Sequence, residues 1–352
     1  MRTCVICELT SDNLGCDNGS VSRLRHFLLT IQLIVPQTNT NDQIGPLADI
    51  ADRASEFINQ SKASNTVRAY RADWTHFVAW CHSHGQPELP ATASTVALYI
   101  TDLSASHKPG TLTRRLSSIS QAHQLAGLET PTTAAKVRLV MAGIRRMKGT
   151  AQIAKTPVLV EDLRRMVGQL PEGLLGVRDR ALLLIGFSGA FRRSELVALD
   201  RGDVEFTRDG LVVVIRRSKT DQESESRKIG IPYGSNLATC PVRSLQEFLE
   251  QSGIVEGPLF RPINRHGKMA SMRLSGNAVA EIVKKYVGAV GLDANLFAGH
   301  SLRSGLATSA AMSGASERAI MNQTGHRSVI TVRKYIRDGS LFRENAAAVV
   351  GL

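Results

Sequence analysis

The sequence predicts a mainly α-helical chain carrying one small antiparallel β-sheet, divided between a helical domain and an α+β domain. Two observations lead there. From about Leu47 to Met147 apolar residues recur three and four apart, the spacing of one helix face. Beyond Pro157 helical text resumes but is broken by three short runs rich in β-branched residues, set apart by turn-forming tetrapeptides. At 352 residues, 43% of them apolar, the chain is long enough for two domains with cores of their own.

In chain order, residues 1–45 are rich in Asn, Thr, Asp and Gly without sustained periodicity, and read as a poorly ordered extension. Residues 46–148 read as a bundle of four or five short helices. Val67, Tyr70, Trp74, Phe77, Val78 and Cys81 line the first, which His84 and Gly85 end; Pro87 and Pro90 then hold the chain extended. A second helix covers about Thr95 to Leu103. Pro109-Gly110 opens a third, with Leu112, Leu116 and Ile119 on one face, and a fourth runs from about Thr133 to Met147. Residues 149–157 are polar, end in Pro157 and read as a linker. Within 158–340, helices are expected at about Val160–Gln169 and Leu174–Phe187. Strands follow at Val204–Phe206, Leu211–Arg217 and Arg227–Ile231, turning at Thr207–Gly210 and Ser218–Asp221. Helices resume near Val242. Residues 341–352 form a helix-prone tail with an apolar side.

Lys and Arg number 43 against 31 Asp and Glu, a formal charge of +12. Such an excess points to a polyanionic partner, and nucleic acid fits better than a membrane surface, since no basic amphipathic anchor stands out. Arg68, Arg71, Arg114, Arg115, Lys136 and Arg145 punctuate the first domain. A solvated helix face would carry charge too, but the excess of one sign favours a face that tracks phosphates. The apolar run from Leu24 to Val35 is interrupted by Arg25, His26 and Gln32. It is far shorter than the ~20 residues of a membrane span, and lies too far from Met1 for a signal peptide. An odd cysteine count suits free thiols in a reducing, cytoplasmic setting. Cys4, Cys7 and Cys16 with His26 can be drawn as a zinc site, but no second close ligand pair follows. No HExxH, P-loop, GxSxG or dinucleotide pattern occurs, so neither metal nor cofactor is expected.

What remains in the second domain is a set of basic residues at helix ends and one tyrosine. In AGHSLRSGLA, His300 and Arg303 are three apart and share a helix face, with Gly299 free to bend the chain before them. A cation pair beside a helix N-terminus suits a phosphate. In QTGHRSVITVRKY, Gly325 can end a helix in a left-handed cap and Ser328 can start the next, leaving His326 at the junction and Tyr335 in the following helix. In GAFRRSELVAL an arginine pair precedes Glu195. Lys219 falls at the tip of the expected hairpin. Singly, each has an ordinary reading: a surface ion pair, a turn lysine, a satisfied histidine, a half-buried tyrosine.

As a set they closely resemble the catalytic domain of tyrosine recombinases, the phage-integrase and Xer family. Arg192-Arg193-Ser194-Glu195-Leu196 matches the family's first box. Lys219 matches its hairpin lysine, His300 through Arg303 its His-x-x-Arg box, and Gly325, His326 and Tyr335 its last. Ser188-Gly189-Ala190-Phe191 departs from the common Thr-Gly-Leu. The helical domain looks like the family's SAM-like core-binding domain. The resemblance spans about Leu47 to Asp338. It implies Arg192, Lys219, His300, Arg303, His326 and Tyr335 as catalytic residues, with Glu195 orienting the site. It also implies a 3′-phosphotyrosyl intermediate, a homotetramer acting on paired double-stranded DNA sites through a Holliday junction, and no requirement for metal or ATP. A DNA-binding regulator that keeps the fold without the chemistry, and a type IB topoisomerase, are the rival readings; paired-site recombination and supercoil-relaxation assays separate them.

Overall fold

The structure, a computed structural model, describes residues 64–150, 154–216, 226–326, 328–339 and 350. The extension 1–45 with its cysteines, the hairpin tip with Lys219, and nearly all of the tail lie outside the described residues. The fold is mostly helical with one small antiparallel sheet, and the chain divides into two compact units, Met1–Gln152 and Ile153–Leu352.

In the first unit the helices are α1 (Ser64–Ser83), α2 (Ala93–Ser104), α3 (Pro109–Leu125) and α4 (Ala135–Lys148), with a short 3-10 turn at Pro131–Thr133. Two of them begin where the sequence provides a start. Thr92 caps α2, its side chain accepting from the Thr95 amide at 3.1 Å, and Pro109 occupies the first turn of α3. Of the expected periodic positions, Trp74, Phe77, Val78, Cys81, Leu112 and Ile119 are buried and Val67, Tyr70 and Leu116 half-buried; with Tyr99 and Ile100 from α2 and Val137, Met141 and Ile144 from α4 the buried ones form one core.

Two of the arginines expected on a phosphate-tracking face are drawn into this packing. Arg115 is only 8% exposed, and its guanidinium donates to the Tyr99 hydroxyl at 2.6 Å. A group held there cannot follow a DNA backbone, so Arg115 leaves that set. Arg114 makes a two-pronged pair with the buried Asp73, at 2.7 and 3.0 Å, while its side chain stays half exposed. Arg68, Arg71, Lys136 and Arg145 stand exposed.

The second unit begins with α5 (Val160–Val167) and α6 (Leu174–Ser188), then α7 (Arg193–Ala198). Helix α6 is apolar almost all round and is the axis of the core; Ala181, Leu182, Leu183 and Ile185 are wholly buried. Its Asp179 is also buried and accepts from the Tyr286 hydroxyl at 2.7 Å, which satisfies both groups away from water. Strands β1 (Val204–Phe206), β2 (Gly210–Ile215) and β3 (Arg227–Pro232) follow, in the order β1-β2-β3 and antiparallel throughout. Leu211, Val213 and Ile215 alternate inward along β2, as a half-buried strand requires. Beyond the sheet come α8 (Pro241–Ser252), α9 (Gly276–Ala289), α10 (Ser301–Met312), α11 (Glu317–Thr324) and α12 (Val329–Gly339). Among the described residues no helix is long and apolar enough to cross a membrane.

Candidate active site

Five of the six expected catalytic residues converge in the second unit; Lys219 lies outside the described residues. Their positions follow from three helix boundaries. Arg192 is the N-cap of α7, where Glu195 reaches back to it twice: Oε2 accepts from the Arg192 amide at 2.9 Å and Oε1 from its guanidinium at 2.5 Å. Glu195 is buried, so this carboxylate fixes both the backbone and the fork of Arg192.

His300 stands at the N-cap of α10 and Arg303 one turn inside it. Arg303 is 1% exposed, and its Nη1 donates to the Ala190 carbonyl at 2.7 Å. Ala190 itself has φ +47°, a left-handed conformation that costs an L-residue roughly 1–2 kcal/mol. The departure at Ser188–Phe191 therefore places an alanine in a glycine-like conformation, and its carbonyl aims the deepest guanidinium. The bend expected at Gly299 is present: Gly299 and His300 form a turn before the helix, and the Ser301 amide donates back to the Ala298 carbonyl at 2.9 Å. Gly299 has no positive φ, and what its missing side chain supplies is room: a Cβ there would lie 3.0 Å from Cδ of Arg193.

Gly325 ends α11 in the left-handed cap its sequence suggests, with φ +65°, and its amide donates to the Met321 carbonyl at 2.7 Å. The chain turns there and delivers His326. A directional relay fixes this ring. The Thr324 hydroxyl donates to the Ile320 carbonyl at 2.7 Å, so its oxygen accepts from His326 Nδ1 at 2.7 Å. Nε2 is then left to accept from Arg303 Nη2 at 3.1 Å, since guanidinium has no acceptor. His326 is thereby a neutral imidazole with its proton on Nδ1. Burial, followed by the charges of Arg303 and Arg192, brings its pKa down to about 4.

Tyr335 sits in α12, half-buried, with its hydroxyl 3.0 Å from His300 Nε2 and its ring 5.7 Å from that of His326. Desolvation, then the charges of Arg303 and Arg192, lowers the His300 pKa below the usual 6.5. Burial also lowers Arg303 to about 10, with Arg192 adding repulsion. The arrangement is an anion hole flanked by a neutral base that already touches a hydroxyl.

Three residues absent from the sequence reading belong to this site. Thr324 orients His326. Gln323 donates from its amide to the Ser188 carbonyl at 2.7 Å and the Gly230 carbonyl at 3.2 Å, tying α11 to α6 and β3. Arg227, at the start of β3, enters the same cluster of charges. Both α11 residues directly precede Gly325-His326, which is a signal in the sequence; Arg227 offers none.

A helical unit and an α+β unit, the latter gathering guanidiniums, neutral imidazoles and a tyrosine at helix ends, define a class that handles phosphodiesters through tyrosine. Comparison with known proteins agrees. Residues 158–340 match the phage integrase family, residues 56–129 match the phage integrase N-terminal SAM-like domain, and the chain belongs to the phage integrase family. It is a tyrosine site-specific recombinase, an enzyme of DNA strand exchange. An integrase/recombinase xerD homolog of Selenomonas ruminantium is 44% identical over 298 residues, covering 84% of this chain and 87% of that protein. Tyrosine recombinase XerD of Bifidobacterium longum is 27% identical, over 79% of this chain and 88% of its own. Among solved structures, XerH recombinase bound to a palindromic difH substrate has the same fold, with a TM-score of 0.59 at 15% identity over 93% of this chain and 94% of the other. A lambda integrase dimer bound to a COC′ core site follows at a TM-score of 0.53 and 18% identity, over 82% and 94%.

Proposed function

We propose that Tyr335 is the nucleophile that cleaves one strand of a double-stranded DNA site, forming a 3′-phosphotyrosyl ester and freeing a 5′-hydroxyl. The observation that carries this is the 3.0 Å contact between the Tyr335 hydroxyl and His300 Nε2 beside two held guanidiniums. The phenol oxygen bonds to phosphorus as the P–O5′ bond breaks. The phenol proton passes to His300, and the leaving 5′-oxygen takes a proton from Lys219. Arg192 and Arg303 meet the charge that develops on the nonbridging oxygens. His326 holds Arg303 until DNA arrives; its own donation to the phosphate needs a proton on Nε2, which the phosphate charge favours. The ester retains the bond energy, so a second strand's 5′-hydroxyl can attack it without ATP.

On this reading residues 46–148 are the core-binding DNA-binding domain, 149–157 the linker and 158–340 the catalytic domain; the family matches and the division into two units support those limits. Arg68, Arg71, Lys136 and Arg145, exposed on the first unit, follow the DNA backbone, and Arg114 contributes from its exposed side. Four protomers act on paired sites through a Holliday junction. XerH bound to a difH substrate and lambda integrase bound to a core site lend support to such partners. Acting on DNA, the protein works in the compartment that holds it, the cytoplasm.

The test is covalent capture. Duplexes tiled across the flanks of the encoding gene, each nicked so that cleavage releases a short fragment, map the site as a protein–DNA adduct. Tyr335→Phe is expected to bind that duplex normally and form no adduct; an adduct of undiminished yield would show that another residue attacks.

A further inference from the structure

Arg227 lies in none of the motifs that mark the site, yet it opens β3 opposite Ile215, and Lys219 falls in sequence between these two strands. Its guanidinium has two differently placed ends. Nη1 donates to the carbonyls of Asn322 and Gln323, both at 3.4 Å, in the last turn of α11, where helix carbonyls lack partners of their own. A Cβ at residue 325 would sit 2.1 Å from Nη1, so the glycine before His326 makes room for this side chain as well as turning the chain. Nη2 is buried and has no hydrogen-bond partner among the described residues.

That second end calls for a physical reason. Buried side-chain nitrogens are nearly always paired, and leaving one unpaired costs roughly 1–3 kcal/mol, more when the group is charged. Among the described residues Arg227 makes no ion pair. Burial and the nearby charge of Arg192 both disfavour its charged form, and Glu195 is the carboxylate whose field opposes them. Arg303 and His326 feel its charge in turn. Glu195 is already engaged twice by Arg192, and Arg303 by the Ala190 carbonyl and His326. Among the described residues the cluster therefore holds three guanidiniums against one carboxylate, and Nη2 of Arg227 is its buried donor without a partner. An anion entering between them would meet that donor and offset the repulsion.

We propose that Arg227 is a third guanidinium of the catalytic pocket, its Nη2 donating to a nonbridging oxygen of the scissile DNA phosphate while Nη1 keeps its hold on α11. This rests on the Tyr335 reading above. It makes Arg227 a catalytic residue and links the base of β3 to the junction that carries His326.

The experiment compares each protein with itself on two substrates: the mapped nicked duplex, and the same duplex with a methylphosphonate at the cleavage position, which removes one negative charge. Arg227→Gln keeps an amide able to reach the α11 carbonyls but carries no charge; Arg227→Lys keeps the charge without the fork. We expect Arg227→Gln to slow adduct formation about 10²-fold on phosphate, the usual scale for one preorganised donor, and by less than roughly tenfold on methylphosphonate. Arg227→Lys should fall between Arg227→Gln and the unaltered chain on phosphate. Because the ratio between substrates is taken within one variant, its folded fraction cancels. Equal losses on both substrates, or an Arg227→Gln variant cleaving phosphate at the full rate, would overturn the assignment and leave Arg227 a strut between β3 and α11. The unaltered chain and Tyr335→Phe are read in the same gel. An adduct in both, or in neither, overturns the Tyr335 reading together with this one, whereas unequal adducts with equal Arg227 losses overturn this one alone.

Discussion

A proton leaving Tyr335 has His300 Nε2 as its neighbour at 3.0 Å, and that nitrogen accepts only while the ring is neutral. Burial and the two arginines hold its pKa below 6.5, which keeps it neutral across the neutral range and extends its use as a base toward acid. Single-turnover adduct formation is expected to stay level from about pH 8 to 6.5 and to fall only below that. A decline already complete by about pH 7 would show that His300 is not the limiting base. Stability moves in the same window. His326 has a folded pKa near 4 against 6.5 unfolded, so between these values the unfolded chain binds a proton that the folded chain refuses. Stability therefore rises with pH there and is lost as pH falls, and the melting temperature must be followed beside the rate. At this scale the sequence was legible wherever chemistry is written in short runs. His300, Arg303, His326 and Tyr335 stand in two such runs, and the structure brings all four together. Arg227 and Arg115 were not legible, because both owe their roles to partners distant along the chain: the carbonyls of Asn322 and Gln323 in one case, the Tyr99 hydroxyl in the other.

Helix α10 carries His300 and Arg303, and its placement depends on close contact with the segment leading into α5. Val158 donates its amide to the Ser301 carbonyl at 2.9 Å, and a Cβ at Gly305 would lie 1.9 Å from the Val158 carbonyl oxygen. Backbone on both sides leaves nothing flexible to yield. Gly305→Ala is expected to destabilise the second unit by about 1–3 kcal/mol, the cost of overpacking, and to slow cleavage as α10 shifts. A melting temperature and rate matching those of the unaltered protein would show that the contact relaxes freely. Element boundaries were legible where a cap or a breaker was read in the sequence, as at Pro109 and Gly325, whereas the cap at Thr92 was missed and that helix was started at Thr95. Gly305 was different. A glycine inside a helical run reads as a weak point, and only tertiary packing shows it to be a point of contact.

For the whole molecule, the +12 charge has to be read as a distribution, because some of it is spent internally. Arg115 is buried, Arg114 is tied to Asp73, and Arg180 to Glu247. Composition counts such residues alongside exposed Arg68 and Arg71, and nothing local tells them apart. Enough exposed cations remain for binding to be dominated by the release of counterions from DNA. Each neutralised phosphate contributes about −0.9 to the slope of log K against log salt, so a slope of several negative units is expected for the full chain. A slope near zero would reject phosphate tracking by the first unit.

The helix that carries Tyr335 is not rooted in the main core. Val332 of α12 is buried in a small separate cluster with Ala307, Ala311 and Ile320, against which Tyr335 and Ile336 are partly packed. Two branched side chains, worth roughly 1.5–3 kcal/mol each when fully buried, and two alanines are its described centre. The core around α6 is far larger. Opening α12 should therefore cost much less than unfolding the domain, and its amides should exchange hydrogen through local openings while those of α6 wait for global unfolding. Equal protection of both helices would refute this. On that expectation Tyr335 lies in a separable unit of stability, whose opening moves its hydroxyl away from His300 and leaves the rest of the domain standing.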